Sequence, residues 1–553
     1  MCDACPNPAT GGLSYTLDQN GNILTSTDAL NNTTTYTYDP TFNKVTSITD
    51  PPGNVTTFTY DSQGNLLTRT DSNGNTTTFS YNAQGQVTQI ADALGNKTTF
   101  SYDGFGNLIS TTDPLGNTTS TVYDNVSRPV AARDALGRIT QTVYDPLDRV
   151  TSQTNAQNKT TSFSYDPVGN LLSLTDANGN KTTFTYDGVN RLLMKTDALG
   201  HTDNRTYDKF GNLIQFVDRC GQKSTFTYDS LNRLAGESYQ DGSSVTRTYD
   251  ANGRLVNATD STSGSFDFTY DTVGHLLSSS DAIGSIQYAY DTAGRMTSRQ
   301  VVGQSAVQYS YDHASNLAAA SMSQASVNFA YDVDNRLTTI TRGNNVTSRY
   351  AYDAASHLLS ITHSGGQNVN IPLTYTYDAV GNRTNYSTTV AQPLITQQVS
   401  NTFNANNQLV TNGLTSDAYD NNGNLVPSTN SSGKTTYTRD SRNRLTSVIQ
   451  PNGQTTAFTY DFAGNLITQV DSGPVLNLTQ NFVLDSLTNV AYLSRSNGDS
   501  LSVLSGRAID QHLAVLHSSG QVEYGLADGV NSTLQTEDEN GKVISSFDYE
   551  PFG

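Results

Sequence analysis

The sequence predicts an all-β protein: a continuous antiparallel β-hairpin repeat coiled into a spiral hollow β-shell. Three observations carry that prediction. A Tyr-Asp dipeptide returns every 21 residues from Tyr102-Asp103 through Tyr123-Asp124, Tyr144-Asp145, Tyr165-Asp166 and onward to Tyr270-Asp271. Turn signals of the form Asp-x-x-Gly-Asn occur twice in each period, and the runs between them are short and rich in threonine and aromatic residues. A fixed short period means one small unit copied along the chain, which can bury a face only against its own neighbours.

Residues 54–75 show the unit. Two runs of β-forming residues are each closed by the same signal, Asp61-Ser62-Gln63-Gly64 and then Asp71-Ser72-Asn73-Gly74. Aspartate favours the first position of a type I turn because its side chain accepts from the following backbone. Glycine three residues later takes the left-handed conformation that completes a three-residue hairpin loop. Each repeat is then two antiparallel strands, with turns alternating at the two ends of a meander.

The strand pattern fits this register. Aromatics stand one and three residues before the aspartate, as in Phe58/Tyr60, Phe79/Tyr81, Phe100/Tyr102, Phe163/Tyr165, Phe184/Tyr186, Phe226/Tyr228 and Tyr309/Tyr311. A spacing of two puts both rings on one face of a strand. Asp61 then faces Asn65 and Tyr60 faces Leu66, and the Leu66 place is apolar at Val87, Leu108, Val150, Leu171, Leu192, Leu213 and Leu234. Aromatic and aliphatic residues alternate across that face, a favourable cross-strand pairing. Strict alternation sends Leu67, Ile109, Leu172 and Leu193 to the opposite, largely Thr/Ser face.

Degenerate copies such as Leu17-Asp18, Phe403-Asn404 and Arg439-Asp440 extend the count to about twenty-three repeats and about forty-six strands. At ~4.8 Å per strand the ribbon is roughly 220 Å long and about 20–25 Å wide. Open twisted sheets rarely exceed about ten strands without curling. A single layer this long coils, and a coil encloses space. The aspartate spacing lengthens to 25 at Asp378, is irregular from about residue 385 to 420, resumes through Asp461 and changes character from about residue 481.

The totals agree with thin, half-buried strands. Of 553 residues only 35% are hydrophobic, too few for a thick globular core, yet the rings recur in phase, which a disordered tract has no reason to do. A net charge of −19 repels phosphate backbones and excludes nucleic acid as a direct partner; it also keeps a large sheet soluble. Three cysteines make no disulfide framework, and Cys2 and Cys5 form one C-x-x-C without the second pair a zinc site needs. No run approaches the ~18 apolar residues of a membrane span. The first residues, Met1-Cys2-Asp3-Ala4-Cys5-Pro6, carry neither the basic start nor the apolar stretch of a signal peptide, so export uses another route or the true N-terminus lies upstream.

Catalytic chemistry finds no constellation, and the sequence is read as non-enzymatic, with no catalytic, cofactor-binding or metal residues and no cofactor. Nearly all carboxylates fall at the turn position. Asp71-Ser72-Asn73-Gly74-Asn75 and Asp176-Ala177-Asn178-Gly179-Asn180 are similar to calcium loops but lack the later bidentate glutamate. His201, His275, His313, His357, His363, His512 and His517 show no nucleophile spacing, and His275 and His357 simply replace the usual turn asparagine. Sequons such as Asn117-Thr118-Thr119 are expected by chance in a chain this rich in Asn and Thr.

The unit Tyr-Asp-x-x-Gly-Asn-Leu, followed by a second Asp-x-x-Gly-Asn, resembles the repeat of the Rhs and YD-repeat family across about residues 13–480. That family includes bacterial polymorphic toxins, insecticidal toxin-complex shells, wall-associated proteins and teneurins. Ile509-Asp510, then Tyr524-Gly525-Leu526-Ala527-Asp528-Gly529-Val530-Asn531-Ser532, then Phe547-Asp548-Tyr549-Glu550-Pro551-Phe552-Gly553 follow the order of the family's core-associated region, with Asn531 where the family usually has glycine. The resemblance divides the chain into a frayed segment 1–12, a repeat shell 13–480 and the start of the core-associated region 481–553. It implies a secreted or cell-surface bacterial β-shell enclosing and delivering a C-terminal toxin or effector absent from this chain, with a secretion-system or delivery component as a further partner. The alternative is a cell-surface adhesin or carbohydrate-binding array, whose exposed tyrosines stack on sugar rings; the absence of tryptophan counts against it. Rows of exposed tyrosines would favour that alternative, and an inward cavity the shell.

Overall fold

The computed structural model describes residues 12–367, 369–389, 400–506 and 511–547. Among these residues every regular element is a strand, 51 of them, and every pairing joins strands consecutive in sequence, antiparallel throughout. Thirty-six strands from Ser14–Leu17 to Arg383–Thr388 form one sheet, and fifteen from Thr402–Phe403 to Val543–Ser546 form a second. The strand total exceeds the expected forty-six because the hairpins continue past residue 481, where six further strands run from Val490–Arg495 to Val543–Ser546. Pairing runs across residue 480, from Leu466–Ser472 to Leu478–Leu484, without interruption. The expected frayed segment lies, apart from Gly12, outside the described residues, as do Cys2, Cys5, Ile509-Asp510 and the Pro-Phe-Gly end.

The register is the expected one at the turn. Tyr60 pairs with Leu66, Tyr165 with Leu171 and Tyr228 with Leu234. Beyond the turn it departs from strict alternation: Thr59 pairs with Thr68, leaving Leu67 as an unpaired extra residue. The same bulge follows the other Tyr-Asp turns of the first lap, whereas the alternate turn, with Thr70 on Thr76 and Arg69 on Thr77, has none. A bulge bends its strand and increases local twist. One bulge per period, always at the same edge, adds the same bend at every repeat.

The ribbon accordingly returns on itself. Asn73 Nδ2 donates to Asp312 Oδ2 at 3.1 Å and Asn335 Nδ2 to Asp71 Oδ2 at 3.0 Å, closing a first lap of roughly 23 strands. A second set joins residues 176–375 to residues 406–541, as in Arg219 to Asn422 O (2.7 Å) and Asn344 to Asp538 O (3.0 Å), and this lap is shorter, roughly 18–19 strands. At ~4.8 Å per strand the first lap is about 110 Å round and about 35 Å across, wall to wall. The spiral tightens toward its C-terminal end.

Packing follows that taper. The buried core lies where the second and third laps overlap, in Val307, Tyr309, Met322 and Val327 against Leu504, Leu513, Val522 and Tyr524. It continues as Ile361, Leu373 and Tyr375 against Leu526 and Leu534, and as Ile286 and Tyr288 against Val483 and Ala491. Elsewhere the wall is one layer thick, with aromatic positions half-buried and intervening threonines exposed, as in the Val55–Tyr60 strand.

Candidate functional site: turn edges and lap seams

Each turn is held by its aspartate. Asp61 Oδ1 accepts from the backbone N–H of Gln63 (2.9 Å) and Asn65 (2.8 Å), while Oδ2 accepts from Asn65 Nδ2 (2.9 Å). Where arginine replaces that asparagine the same oxygen takes a guanidinium, as in Asp145–Arg149 and Asp187–Arg191. Histidine serves likewise at His275 and His357. Hydrogen bonding to the ionised form holds the Asp61, Asp145 and Asp187 carboxyls below their usual range, led by the Asn65 side chain, the Arg149 side chain and the Arg191 backbone N–H respectively. Asp176, which also accepts from Asn407 across a seam, is held at about 2, chiefly by Asn180 and then Asn407. At Asn531, where glycine was expected, φ is +64° and the Asp528–Ser532 turn closes as the others do.

A second ladder runs along the same edge. Tyr60, Tyr81, Tyr102, Tyr165 and Tyr186 each donate to the carbonyl 15 residues earlier, at Val45, Leu66, Val87, Val150 and Leu171. That carbonyl belongs to the residue paired with the preceding repeat's tyrosine. Turn arginines cap the ladder: Arg149 lies over Tyr165, Arg191 over Tyr207 and Arg233 over Tyr249, 4.6–5.0 Å from ring centre. The tyrosines of the repeat are thus consumed in joining one hairpin to the next. The sequence signal for this, recurrence of Asn or Arg four residues after the aspartate, was visible, but its target in the next repeat was not.

The seams use turn carboxylates a second time, so the turn role alone does not exhaust them. Asp485 holds its own turn through Leu487 and Asn489 and pairs with Arg299 at 2.6 Å, both side chains under 7% exposed. Arg299 also donates to Val503 O at 2.7 Å, and Arg442 pairs with Asp260 while lying over Tyr239. At the first seam Ala93 N donates to Asp334 Oδ1 at 2.9 Å; burial, then the neighbouring Asp92, raises the Asp334 carboxyl.

One contact has the composition of a nucleophile–base pair. Ser348 Oγ lies 2.7 Å from His363 Nδ1, placed there by direct cross-strand pairing. Arg342 Nη1 donates to Ser348 Oγ at 2.7 Å, so Ser348 donates to Nδ1 and His363 Nε2–H donates to Ala527 O, 3.1 Å away across the seam. Both Ser348 and His363 are wholly buried, and burial, aided by Arg342, lowers the imidazole to about 3. A neutral histidine without solvent or substrate access serves as a strut. Beside it Glu537 is fully buried, with neither carboxyl oxygen partnered and Asn344 near but not in bonding geometry; burial raises it to about 7.

Among the described residues no three His, Cys, Asp or Glu side chains gather as a metal site, and no helix is long and apolar enough to cross a membrane. A cavity of about 280 Å³ lies between Phe266, Phe268 and Ile286 of one lap and Phe462, Ile467 and Val483 of the next. It is mostly apolar, and Asp485 at its edge is engaged with Arg299.

This geometry has known counterparts. The RHS repeat matches successive stretches from residues 18–51 to 165–202, and the Teneurin YD-shell matches 200–319, 238–345, 268–382 and 321–553. The chain belongs to the Teneurin YD-shell family. Its fold is that of the crystal structure of TcdB2-TccC3 without the hypervariable C-terminal region, at TM-score 0.56 and 14% identity over 99% of this chain and 43% of that one. TcdB2-TccC3 itself aligns with TM-score 0.51 and 15% identity over 99% of this chain and 42% of that chain. Among curated proteins the tRNA3(Ser)-specific nuclease WapA of Bacillus spizizenii is 30% identical, and the tRNA nuclease WapA of Bacillus subtilis 29%, each over 207 residues. Those alignments cover 35% of this YD-shell chain and 8% of either relative, so the chain spans a small fraction of their length.

Proposed function

We propose that this YD-shell is the non-enzymatic wall of a container that encloses a C-terminal toxin or effector polypeptide and carries it outside the producing cell. The observation that carries the reading is the closed lap: a one-layer ribbon joined edge to edge by Asn73–Asp312 and Asn335–Asp71 bounds a hollow. With about 10 Å taken up by side chains, a wall ~35 Å across leaves a lumen about 25 Å wide. A helix 10–12 Å thick fits that space; a folded 100-residue domain, with a radius of gyration of about 13 Å, does not. Cargo is therefore held extended or as single helices. Likeness in fold to TcdB2-TccC3, a protein with a hypervariable C-terminal region, supports the same reading.

The nuclease activity in the WapA names belongs to proteins of which this chain matches 8%, and the turn carboxylates here are committed to structure. The carbohydrate-array alternative loses its main support, since the repeat tyrosines are half-buried with hydroxyls bonded to backbone. A delivery component remains part of the proposal. The test is protease protection of an unfolded polypeptide of about 60 residues fused after Gly553. The container reading expects digestion of the fused segment at least 100-fold slower than that of the same segment alone. Equal rates would overturn it.

A further inference from the structure

Both seams join the same two edges. Tyr-Asp-type turns of the second lap, at Asp312 and Asp334, sit on alternate turns of the first, at Asn73 and Ala93. Tyr-Asp-type turns further along, at Asn406, Asn422 and Arg442, sit in the same way on alternate turns about one lap earlier, at Asp197, Asp218 and Asp260. Among the described residues no other lap sits on the first lap's own Tyr-Asp turns, which form a rim of the coil.

That rim carries a row of one kind. The third residue of seven successive turns is Phe105, Val126, Leu147, Val168, Val189, Phe210 and Leu231, each 61–87% exposed. Several equivalent positions under a neighbouring lap are small or polar and half-buried, as at Ala355, Asn406 and Asn422, while Val273, Val380, Leu487 and Val530 are apolar; nowhere else among the described residues do seven successive turns carry large exposed apolar tips. On the rim the turn carboxylates are bonded within their own turns, and Lys209 lies over the Phe210 ring. In a chain of net charge −19 this is a long apolar edge with little free charge. Depletion of charge with retained aromatics is the composition of an interface centre.

We propose that the rim is the interface of a homodimer, two coils meeting rim to rim across a two-fold axis through the Val168 turn. A second copy is the occupant that matches the row's curvature by construction. The axis sets Val168 on its equivalent, Phe105 opposite the partner's Leu231, and Val126 opposite the partner's Phe210, apolar on apolar throughout. Seven tips at ~9.6 Å spacing run ~58 Å. The seven side chains expose on the order of 900 Å², close to the ~800 Å² each partner contributes to a standard interface. Isologous two-fold pairing is the common closed solution for such a patch. The two hollows then become continuous. The inference stands whether or not cargo is enclosed.

Sedimentation equilibrium at 1–50 µM tests it. The intact chain is expected at twice its 59.5 kDa mass. The triple variant Phe105→Gln, Val168→Gln, Phe210→Gln should be monomeric, its dissociation constant raised about 100-fold or more. Glutamine already holds this turn position at Gln63 and Gln84, so the hairpins still close. Val475→Gln, a comparably exposed apolar side chain in another loop, should leave the dimer intact. With Cys2, Cys5 and Cys220 replaced by serine, Val168→Cys should crosslink to itself. An intact chain that stays monomeric at 50 µM overturns the proposal and assigns the row to another lap or another protein; so does a dimer that survives the triple substitution.

Discussion

Glycine, aspartate and tyrosine in this repeat answer three separate demands. Gly169 has φ of +101°, with open space where a Cβ would stand, so the cost of a side chain there is conformational rather than steric. Gly169→Val should lower stability by about 1–3 kcal/mol, and Val168→Ala, at an exposed tip, by less than about 0.5. Thermal unfolding of the two variants checks the difference; equal midpoints would contradict the turn assignment. Glu537 offers the opposite case from the turn aspartates. Its carboxyl is raised by burial to about 7 against an ordinary 4.5, so between those pH values the folded chain binds more protons than the unfolded one. Stability on this account is present at pH 4.5 and lost as pH rises through 7, by up to about 3 kcal/mol. Glu537→Gln should remove that loss, seen as urea midpoints that converge with wild type at pH 5 and exceed it at pH 8. Parallel curves would contradict it.

At the scale of the element, the hairpin was legible and its neighbours were not. Asp61, Gly64 and Asn65 specify the turn through bonds within five residues, so periodicity was enough to place Tyr60 on Leu66. The bulge at Leu67 escaped because strict alternation describes equal strands, and the extra residue appears only when the partner's register is known. The seam contacts escaped for a stronger reason. Ser348 and His363 are 15 residues apart and meet through strand pairing, while Arg299 and Asp485 are 186 apart and meet through coiling. Neither separation carries a local signature. The seam gives a test of its own: Arg299→Ala leaves the Asp485 carboxylate buried without its cation and should cost about 3–5 kcal/mol. Hydrogen exchange should accelerate at Ser500–Ser505 and Val490–Arg495 and remain unchanged at Val55–Tyr60. Uniform acceleration would mean the laps do not act as separate units.

For the whole molecule, the number of strands per lap sets everything else. The first lap of roughly 23 strands gives the width of the hollow, and the shorter second lap gives the taper that buries Leu504, Tyr524 and Leu526. Sequence reasoning reached a coil from strand count alone, because a single sheet of this length cannot lie flat. It could not reach the lap length, which depends on the bend added by each bulge. Spin labels at Gln63 and Val189, six repeats apart in a chain with Cys2, Cys5 and Cys220 replaced by serine, read that length directly by electron–electron dipolar spectroscopy. Half a lap places them across the hollow, at about 35 Å. A distance near 58 Å, the contour of twelve strands laid straight, or one below about 15 Å, opposite walls in contact, would contradict a hollow coiled wall.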